Sequence, residues 1–195
     1  TPASGSFDVA IARLNGANLP WEPIEYLHHV DIAAAGDTDN RAGISESATD
    51  GYDPLVDLLE VPIDSHVRFP HPEWQVPEGD DFAHDVRAPY DPVDQLGTWL
   101  VEIDLTNGSA STRSFDVSFS PSFDGASGIG LALRDLETDE TIDLFPDLVY
   151  PIDVAPYARE IRQLELFIGQ EGWLEDDTDA DGVLAADDLC LDSTA

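Results

Sequence analysis

The sequence predicts an all-β fold, an antiparallel β-sandwich, and three observations support this prediction. Of the 195 residues, 42% are hydrophobic, which suffices for the core of a single domain. Apolar residues alternate with small or polar residues over short runs, which is the period of a β-strand. Turn signals such as Asn15-Gly16 and Asn107-Gly108 recur at intervals of roughly 10 to 15 residues, a spacing typical of sandwiches.

The first half of the chain contains two predicted strands and one long predicted loop. Phe7–Leu14 alternates with the strand period and ends at Asn15-Gly16. Leu27–Ala34 alternates in the same way and places His28, Val30 and Ile32 opposite Leu27, His29 and Asp31. Residues 36 to about 62 are rich in Asp, Gly, Ser and Pro, so we expect a loop there. Loops of this length usually carry a function.

The second half is more regular. The predicted strands there are Trp99–Leu105, Ser114–Ser120, Ile129–Asp135, Thr141–Phe145, Val149–Val154 and Ile161–Ile168. The first two should be antiparallel neighbours, and the turn at 137–140 should join the next two as a hairpin. Ile161–Ile168 also fits a short helix, but its length and the following Gly169 favour a strand. Its buried face should then carry Arg162, Leu164, Leu166 and Ile168.

These strands predict one interior shared by two sheets. The alternation of Phe115, Val117 and Phe119 places all three side chains on one strand face. We expect that face to be buried together with Trp99, Val101, Ile103, Leu131, Leu133, Leu164 and Leu166.

Acidic residues dominate the charge. The chain has 41 Asp and Glu against 8 basic residues, all of them Arg, and a formal net charge of −33. Such a field repels phosphates, which argues against nucleic acid or anionic lipid as a partner. Solubility explains an acidic surface, but the complete lack of Lys favours adaptation to high salt or to divalent cations. No apolar run reaches about 18 residues, so we expect no membrane insertion.

A family resemblance rests on several short elements between about residues 42 and 169. These are Ala48–Pro54, Phe69–Trp74, Gly97-Thr98-Trp99, the hairpin from Leu133 to Leu144, and Tyr150 followed by Arg162 and Phe167. Together they resemble the immunoglobulin-like β-sandwich modules near the C-termini of large secreted bacterial proteins. The resemblance implies an extracellular or cell-surface module used for anchoring, secretion or spacing. Its partners would be other domains of the same or a neighbouring extracellular protein.

The C-terminal segment contains the strongest local motif. Asp177, Asp179, Asp181 and Asp188 occupy positions 1, 3, 5 and 12 of a calcium loop, with Gly182 at position 6. The Val183 carbonyl at position 7 would complete the oxygen ligands of Ca²⁺. The segment resembles a thrombospondin type 3 repeat and equally the first half of a dockerin calcium loop. The alternative is a solvated acidic tail. We therefore divide the chain into a sandwich domain at 1–172 and an acidic calcium-binding segment at 173–195.

Three further sets of residues have two interpretations each. Asp37, Asp39, Asn40, Asp50 and Asp53 could hold a second Ca²⁺ or could pin the predicted loop through side-chain turns. The segment Phe69–Trp74 could cap the sandwich or contact a partner or a sugar. The histidines, including the set His66, His71 and His84, lack the spacing of a known zinc site, so zinc is disfavoured.

Enzyme motifs are absent from the sequence. It contains no His-Glu-x-x-His, no Gly-x-Ser-x-Gly and no phosphate-binding Gly-Lys-Ser/Thr. We expect a non-catalytic accessory module. The first alternative is a self-assembling surface-layer or filament subunit, in which edge strands pair between copies and Ca²⁺ bridges acidic faces. The second is a carbohydrate-binding module using Trp21, Trp74 or Trp99, although Trp99 is expected in the core.

Overall fold

Two β-sheets packed face to face make up the part of the chain that the structure describes. The structure, a computed structural model, describes residues 25–170 apart from 55, 62–63, 93–94 and 125–126. The predicted all-β sandwich is confirmed. The predicted strand Phe7–Leu14 lies outside the described residues, as does the proposed boundary at 172.

Along the described chain, single strands or pairs of consecutive strands belong alternately to the two sheets. They are β1 (Tyr26–Ala34), β2 (Asp37–Ser45), β3 (His66–Pro70), β4 (Asp81–Phe82), β5 (His84–Arg87), β6 (Gly97–Thr106), β7 (Arg113–Pro121), β8 (Ile129–Asp135), β9 (Glu140–Asp143), β10 (Val149–Val154) and β11 (Arg159–Gln170). A 3-10 turn spans Pro72–Trp74. The first sheet has the order β10-β7-β1-β2-β5, and the second has the order β4-β3-β6-β11-β8-β9. Described neighbours pair antiparallel except β2 and β5, which are parallel.

The predicted loop at 36–62 is wrong at its beginning, because β2 occupies Asp37–Ser45. β1 and β2 form a hairpin, and its last pair is Ala34 with Asp37. Ala35 and Gly36 both have positive φ, 54° and 98°, as a tight two-residue hairpin turn requires. The strand was missed because its outer positions are polar, while only Asn40, Ala42 and Ile44 alternate into the interior.

The predicted pairing of the sixth and seventh strands is also wrong. β7 lies in the first sheet between β1 and β10, whereas β6 lies in the second sheet. Asn107 does not form a hairpin turn here: it is buried, and its amide donates to the carbonyls of Val154 and Ala155 at 2.9 and 3.0 Å. It thereby fixes the chain where it crosses from one sheet to the other.

The remaining predicted strands are confirmed. β8 and β9 form the expected hairpin, with Leu133 opposite Ile142. The segment around Ile161–Ile168 is a strand, since β11 pairs with β6 along one side and with β8 along the other. Its predicted inner face carries the buried Leu164, Leu166 and Ile168, and Phe167 on the outer face is buried as well.

The core lies between the sheets and contains every residue predicted for it. Trp99, Val101, Ile103, Phe115, Val117, Phe119, Leu131, Leu133, Leu164 and Leu166 all belong to one buried cluster. β1, β2, β3 and β4 add Val30, Ile32, Ile44, Val67, Phe69 and Phe82 to it. The alternation of apolar residues therefore identified the interior even where the strand pairing was predicted incorrectly.

The described sheet edges are mostly covered or blocked. The Leu58 carbonyl accepts the Ala83 and His84 amides beside β5, and the Glu60 amide donates to the Asp81 carbonyl of β4. On β10, the register of the pairing with β7 turns the backbone groups of Val149, Pro151 and Asp153 outward. Because proline has no N–H, Pro151 interrupts the outward donors. β9 is a short edge of four residues.

Candidate functional site

The predicted calcium loop lies outside the described residues. Asp177, Asp179, Asp181, Val183 and Asp188 all follow Gln170, where the description ends. Ca²⁺ binding by this loop therefore stays a prediction. In the sequence, the motif begins a few residues after Gln170, the last residue of β11, which is a central strand of the second sheet.

The acids proposed for a second calcium site are dispersed. Asp37 accepts the Val67 amide at 2.8 Å, whereas Asp53 accepts the amide and hydroxyl of Thr49 at 2.6 and 2.8 Å. Asp39 is directed at His84, with 3.6 Å between Oδ1 and Nε2. In the described part of the chain, no three His, Cys, Asp or Glu side chains are arranged to hold a metal ion. The contacts of Asp53 match the interpretation in which the carboxylates pin the chain.

An acidic hollow of about 180 Å³ lies beside β4. Its walls are Leu59, Glu60, His66, Glu78, Gly79, Asp80 and Asp81. Burial, together with the charges of Asp37, Asp39 and Asp81, raises the pKa of Glu60 to about 7. The hollow therefore concentrates negative charge and holds a carboxyl group that titrates near neutral pH.

A buried polar cluster centres on His71, which lies between two carboxylates. Its Nδ1 is 2.6 Å from Glu73 Oε1, and its Nε2 is 2.9 Å from Asp85 Oδ2. Burial lowers the pKa of His71, but the hydrogen bonds and charges of Asp85 and Glu73 outweigh burial and raise it above the ordinary value. His71 and Glu73 come from the turn after β3, whereas Asp85 comes from β5, 14 residues after His71. Sequence reasoning missed the cluster because no local spacing signals it.

Two further groups extend this cluster. Arg87 donates to both oxygens of Asp85, at 3.2 and 2.9 Å, and its guanidinium lies 5.0 Å from the centre of the Trp99 ring. Asp57 accepts the amides of Val86 and Asp53 at 2.9 and 2.7 Å. Burial is the main reason that the pKa of Asp57 rises to about 7, and the nearby Asp85 contributes. The pKa values of two buried carboxyl groups are thus shifted in opposite directions. The pKa of Asp57 is raised, whereas His71 and Arg87 hold the pKa of Asp85 below its ordinary value despite its burial.

The aromatic–proline segment Phe69–Trp74 caps the sandwich. Phe69 is fully buried, and Trp74 lies 4.9 Å from the Phe82 ring in an edge arrangement. Trp74 also stacks on His71, with 3.7 Å between the ring centres and an interplanar angle of 3°. Trp99 is fully buried, as expected.

Every described Arg side chain contacts a carboxylate or an aromatic ring. The ion pairs are Arg41 with Asp31, Arg68 with Asp81 and Glu102, Arg87 with Asp85, Arg134 with Asp139, Arg159 with Asp104, and Arg162 with Asp135, while Arg113 lies over the Phe115 ring. Four of these acids, Asp85, Glu102, Asp104 and Asp135, are buried. In the described part of the chain, the positive charges are thus engaged in contacts within the protein, and the surface presents mainly carboxylates.

No protein family model, no curated protein and no solved structure matches this chain. No helix in the described residues is long and apolar enough to cross a membrane. The geometry defines an all-β sandwich with an anionic surface and a buried His–carboxylate cluster.

Proposed function

We propose that this chain is a non-catalytic accessory module of an extracellular multi-domain protein, in which Ca²⁺ stabilises the segment after the sandwich. The carrying observation is that β11, the last described strand of a core-packed sandwich, reaches Gln170, and the calcium-loop motif begins a few residues later in the sequence, at Asp177. A rigid domain followed by a cation-ordered repeat suits anchoring or spacing, because the cation would remove the freedom of the connecting segment.

The distribution of charge supports a cation as the ligand. Arg side chains of the described chain are engaged with carboxylates or rings, so a hard cation approaching the surface meets mostly free carboxylate oxygens. The same distribution disfavours nucleic acid and anionic membranes as partners. The proposal includes cell-surface localisation and tolerance of high salt. A high concentration of ions around the protein would screen its net charge of −33.

Calorimetric titration of the full chain with Ca²⁺ is the direct test. We expect saturable binding with a dissociation constant between about 10⁻⁵ and 10⁻³ M, and protection from protease between Asp176 and Cys190. Asp181→Ala should abolish both effects, because it removes a central ligand. The matched control is Asp116→Ala, which removes an exposed carboxylate on β7 and should leave binding intact. If Ca²⁺ gives neither heat nor protection, or if NaCl alone reproduces the protection, the segment is an acidic tail.

The two alternative functions have separate signatures in the same samples. Self-assembly would appear in sedimentation velocity as an oligomer that forms only with Ca²⁺, and the exposed edge available to it in the described chain is β9. Sugar binding would appear as heat on titration with neutral oligosaccharides. Trp99 is buried and Trp74 already stacks on His71, so neither indole offers both ring faces to a sugar, and Trp21 lies outside the described residues.

A further inference from the structure

The environment of the His71 ring determines its charge. An ionised carboxylate can only accept hydrogen bonds, and a carboxylate oxygen lies within 2.9 Å of each ring nitrogen. Interactions with His71 lower the pKa of both Glu73 and Asp85 despite the opposing effect of burial, so both are ionised near neutral pH. Both ring nitrogens must therefore carry hydrogen, and the ring is an imidazolium.

The two carboxylates are held differently. Asp85 is fully buried on β5 and also pairs with Arg87. Glu73 belongs to the 3-10 turn, and its side chain is 63% exposed. If the ring loses one proton, the bond to Asp85 is the one retained, because leaving a buried carboxylate without that donor costs more than returning Glu73 to water.

Apart from the Glu73 side chain, the turn contacts the sandwich through the Trp74 indole. Pro72, Glu73 and Trp74 are not buried, and the N-terminus of the turn has no side-chain cap. Within the turn, the Trp74 amide donates to the His71 carbonyl at 3.1 Å. The Trp74 indole stacks on the His71 ring and meets Phe82 and Tyr52 beyond it. A positively charged imidazolium is attracted to the face of an indole more strongly than a neutral imidazole is.

We propose that His71 is a proton-operated latch that holds the Pro72–Trp74 turn against the sandwich. In the closed state, the doubly protonated ring bridges Glu73 and Asp85 and stacks on Trp74. In the open state, the Nδ1 proton has left to water, the bare nitrogen repels the Glu73 carboxylate, and the turn moves away and uncovers Trp74. The Nε2–H bond to Asp85 remains.

The charged groups around the latch favour the closed state in acid and at neutral pH. Glu73 faces the ring from the turn, and Asp85 faces it from β5 with Arg87 beside it. Asp57 approaches Asp85 from the segment that covers β5, and the Asp80 carbonyl accepts the His71 amide at 2.7 Å. The raised pKa of His71 places the opening above the pH at which an ordinary histidine titrates. This device is independent of the calcium segment.

Nuclear magnetic resonance of the full chain in 1 M NaCl tests the latch through two readouts. The first is the titration of the His71 ring, with His84 as an internal reference because burial lowers its pKa. The second is the hydrogen-exchange protection factor of the Trp74 amide from pH 6 to 9. We expect the His71 ring to titrate above 6.5 and the protection of Trp74 to fall at least tenfold along the same curve.

Glu73→Gln separates the latch from ordinary packing. It removes the exposed negative charge that favours the imidazolium, so both curves should move down together by about one pH unit. Glu46→Gln removes an exposed charge elsewhere and should move neither. A His71 ring that titrates at or below 6.5, a Trp74 amide that stays protected through the titration, or a Glu73→Gln variant with unchanged curves would each overturn the proposal.

Discussion

The Tyr150 hydroxyl donates to Asp135 Oδ2 at 2.7 Å and joins the two sheets, because Tyr150 lies in β10 and Asp135 ends β8. Asp135 is buried, and its other oxygen accepts the Glu137 amide at 2.8 Å. Arg162 of β11 approaches the same carboxylate at 3.1 Å. Burial would raise the pKa of Asp135, but these donors and the Arg162 charge lower it below its ordinary value.

Removing the Tyr150 hydroxyl should therefore weaken the contact between the sheets. Tyr150→Phe keeps the ring and loses one hydrogen bond to a charged group, so the free energy of unfolding should fall by about 1–3 kcal/mol. Urea unfolding followed by fluorescence measures this. The control is Tyr157→Phe, since Tyr157 is 74% exposed and its loss of a hydroxyl should change stability by less than about 0.5 kcal/mol. Equal effects in the two variants would contradict the role given to Tyr150.

The free energy of unfolding should fall more steeply between pH 5 and pH 8 than the net charge alone would cause. The pKa values of Asp57 and Glu60 rise to about 7 in the folded chain, so both groups bind protons that the unfolded chain has released above about pH 4. The stability they contribute is complete below pH 4 and is lost as pH rises to about 7. We expect the free energy of unfolding to fall by about 2–4 kcal/mol between pH 5 and pH 8 at constant ionic strength.

The variant Glu60→Gln tests how much Glu60 contributes to this fall in the free energy of unfolding. Glutamine cannot ionise, so the difference between pH 5 and pH 8 should shrink by about 1–2 kcal/mol. Glu46→Gln removes one exposed charge and should leave the difference nearly unchanged. A Glu60→Gln profile that superimposes on that of the parent chain would show that Glu60 titrates normally.

Salt should stabilise the fold. Carboxylates greatly outnumber Arg, and the Arg side chains of the described chain are already engaged, so added ions screen repulsion more than attraction. The melting temperature in calorimetry should rise by about 5 °C or more from 0.1 to 2 M NaCl. Sucrose at equal osmolality is the comparison, because it lacks charge. A melting temperature that is flat or falls with NaCl would mean that the ion pairs dominate the net repulsion.

Pro151 should keep the chain from pairing through β10. In Pro151→Thr, an outward N–H completes the row of donors on that edge, so sedimentation velocity in 1 M NaCl should show more dimer than the parent chain forms. Pro89→Thr is the control, since Pro89 is exposed and lies outside the strands. An unchanged distribution for Pro151→Thr would show that charge, and not the missing donor, protects this edge.

The sequence predicted the interior better than the connections. Alternate residues of a strand share one face whichever strand lies beside it. Local information therefore suffices to assign Phe115 and Leu164 to the core. Whether Asn107 turns a hairpin or crosses between sheets depends on Val154 and Ala155, which are distant in sequence. The strand β2 is not predicted for a related reason: its burial depends on neighbours in β1 and β5, and its outward-facing residues and its first half are polar.

The candidate site was less predictable than the fold. For the segment Phe69–Trp74 the sequence allows either a cap or a contact with a partner or sugar, and its capping contacts come from the apolar side chains it contains. The pairing of His71 with Asp85 could not be foreseen, because it depends on β5 lying next to the turn after β3. The calcium ligands, in contrast, come from one continuous motif, so their prediction needs no knowledge of the fold.

The parallel pairing of β2 with β5 constrains the order of folding. Antiparallel neighbours such as β1 and β2 can form as soon as a two-residue turn closes, but β5 can reach β2 only after residues 46–83 have crossed to the second sheet and returned. Closing so long a segment is slow relative to hairpin formation. We therefore expect β5 to dock late, after the hairpins and central strands have assembled, and the chain to pass through a state in which the edge of β2 is still open.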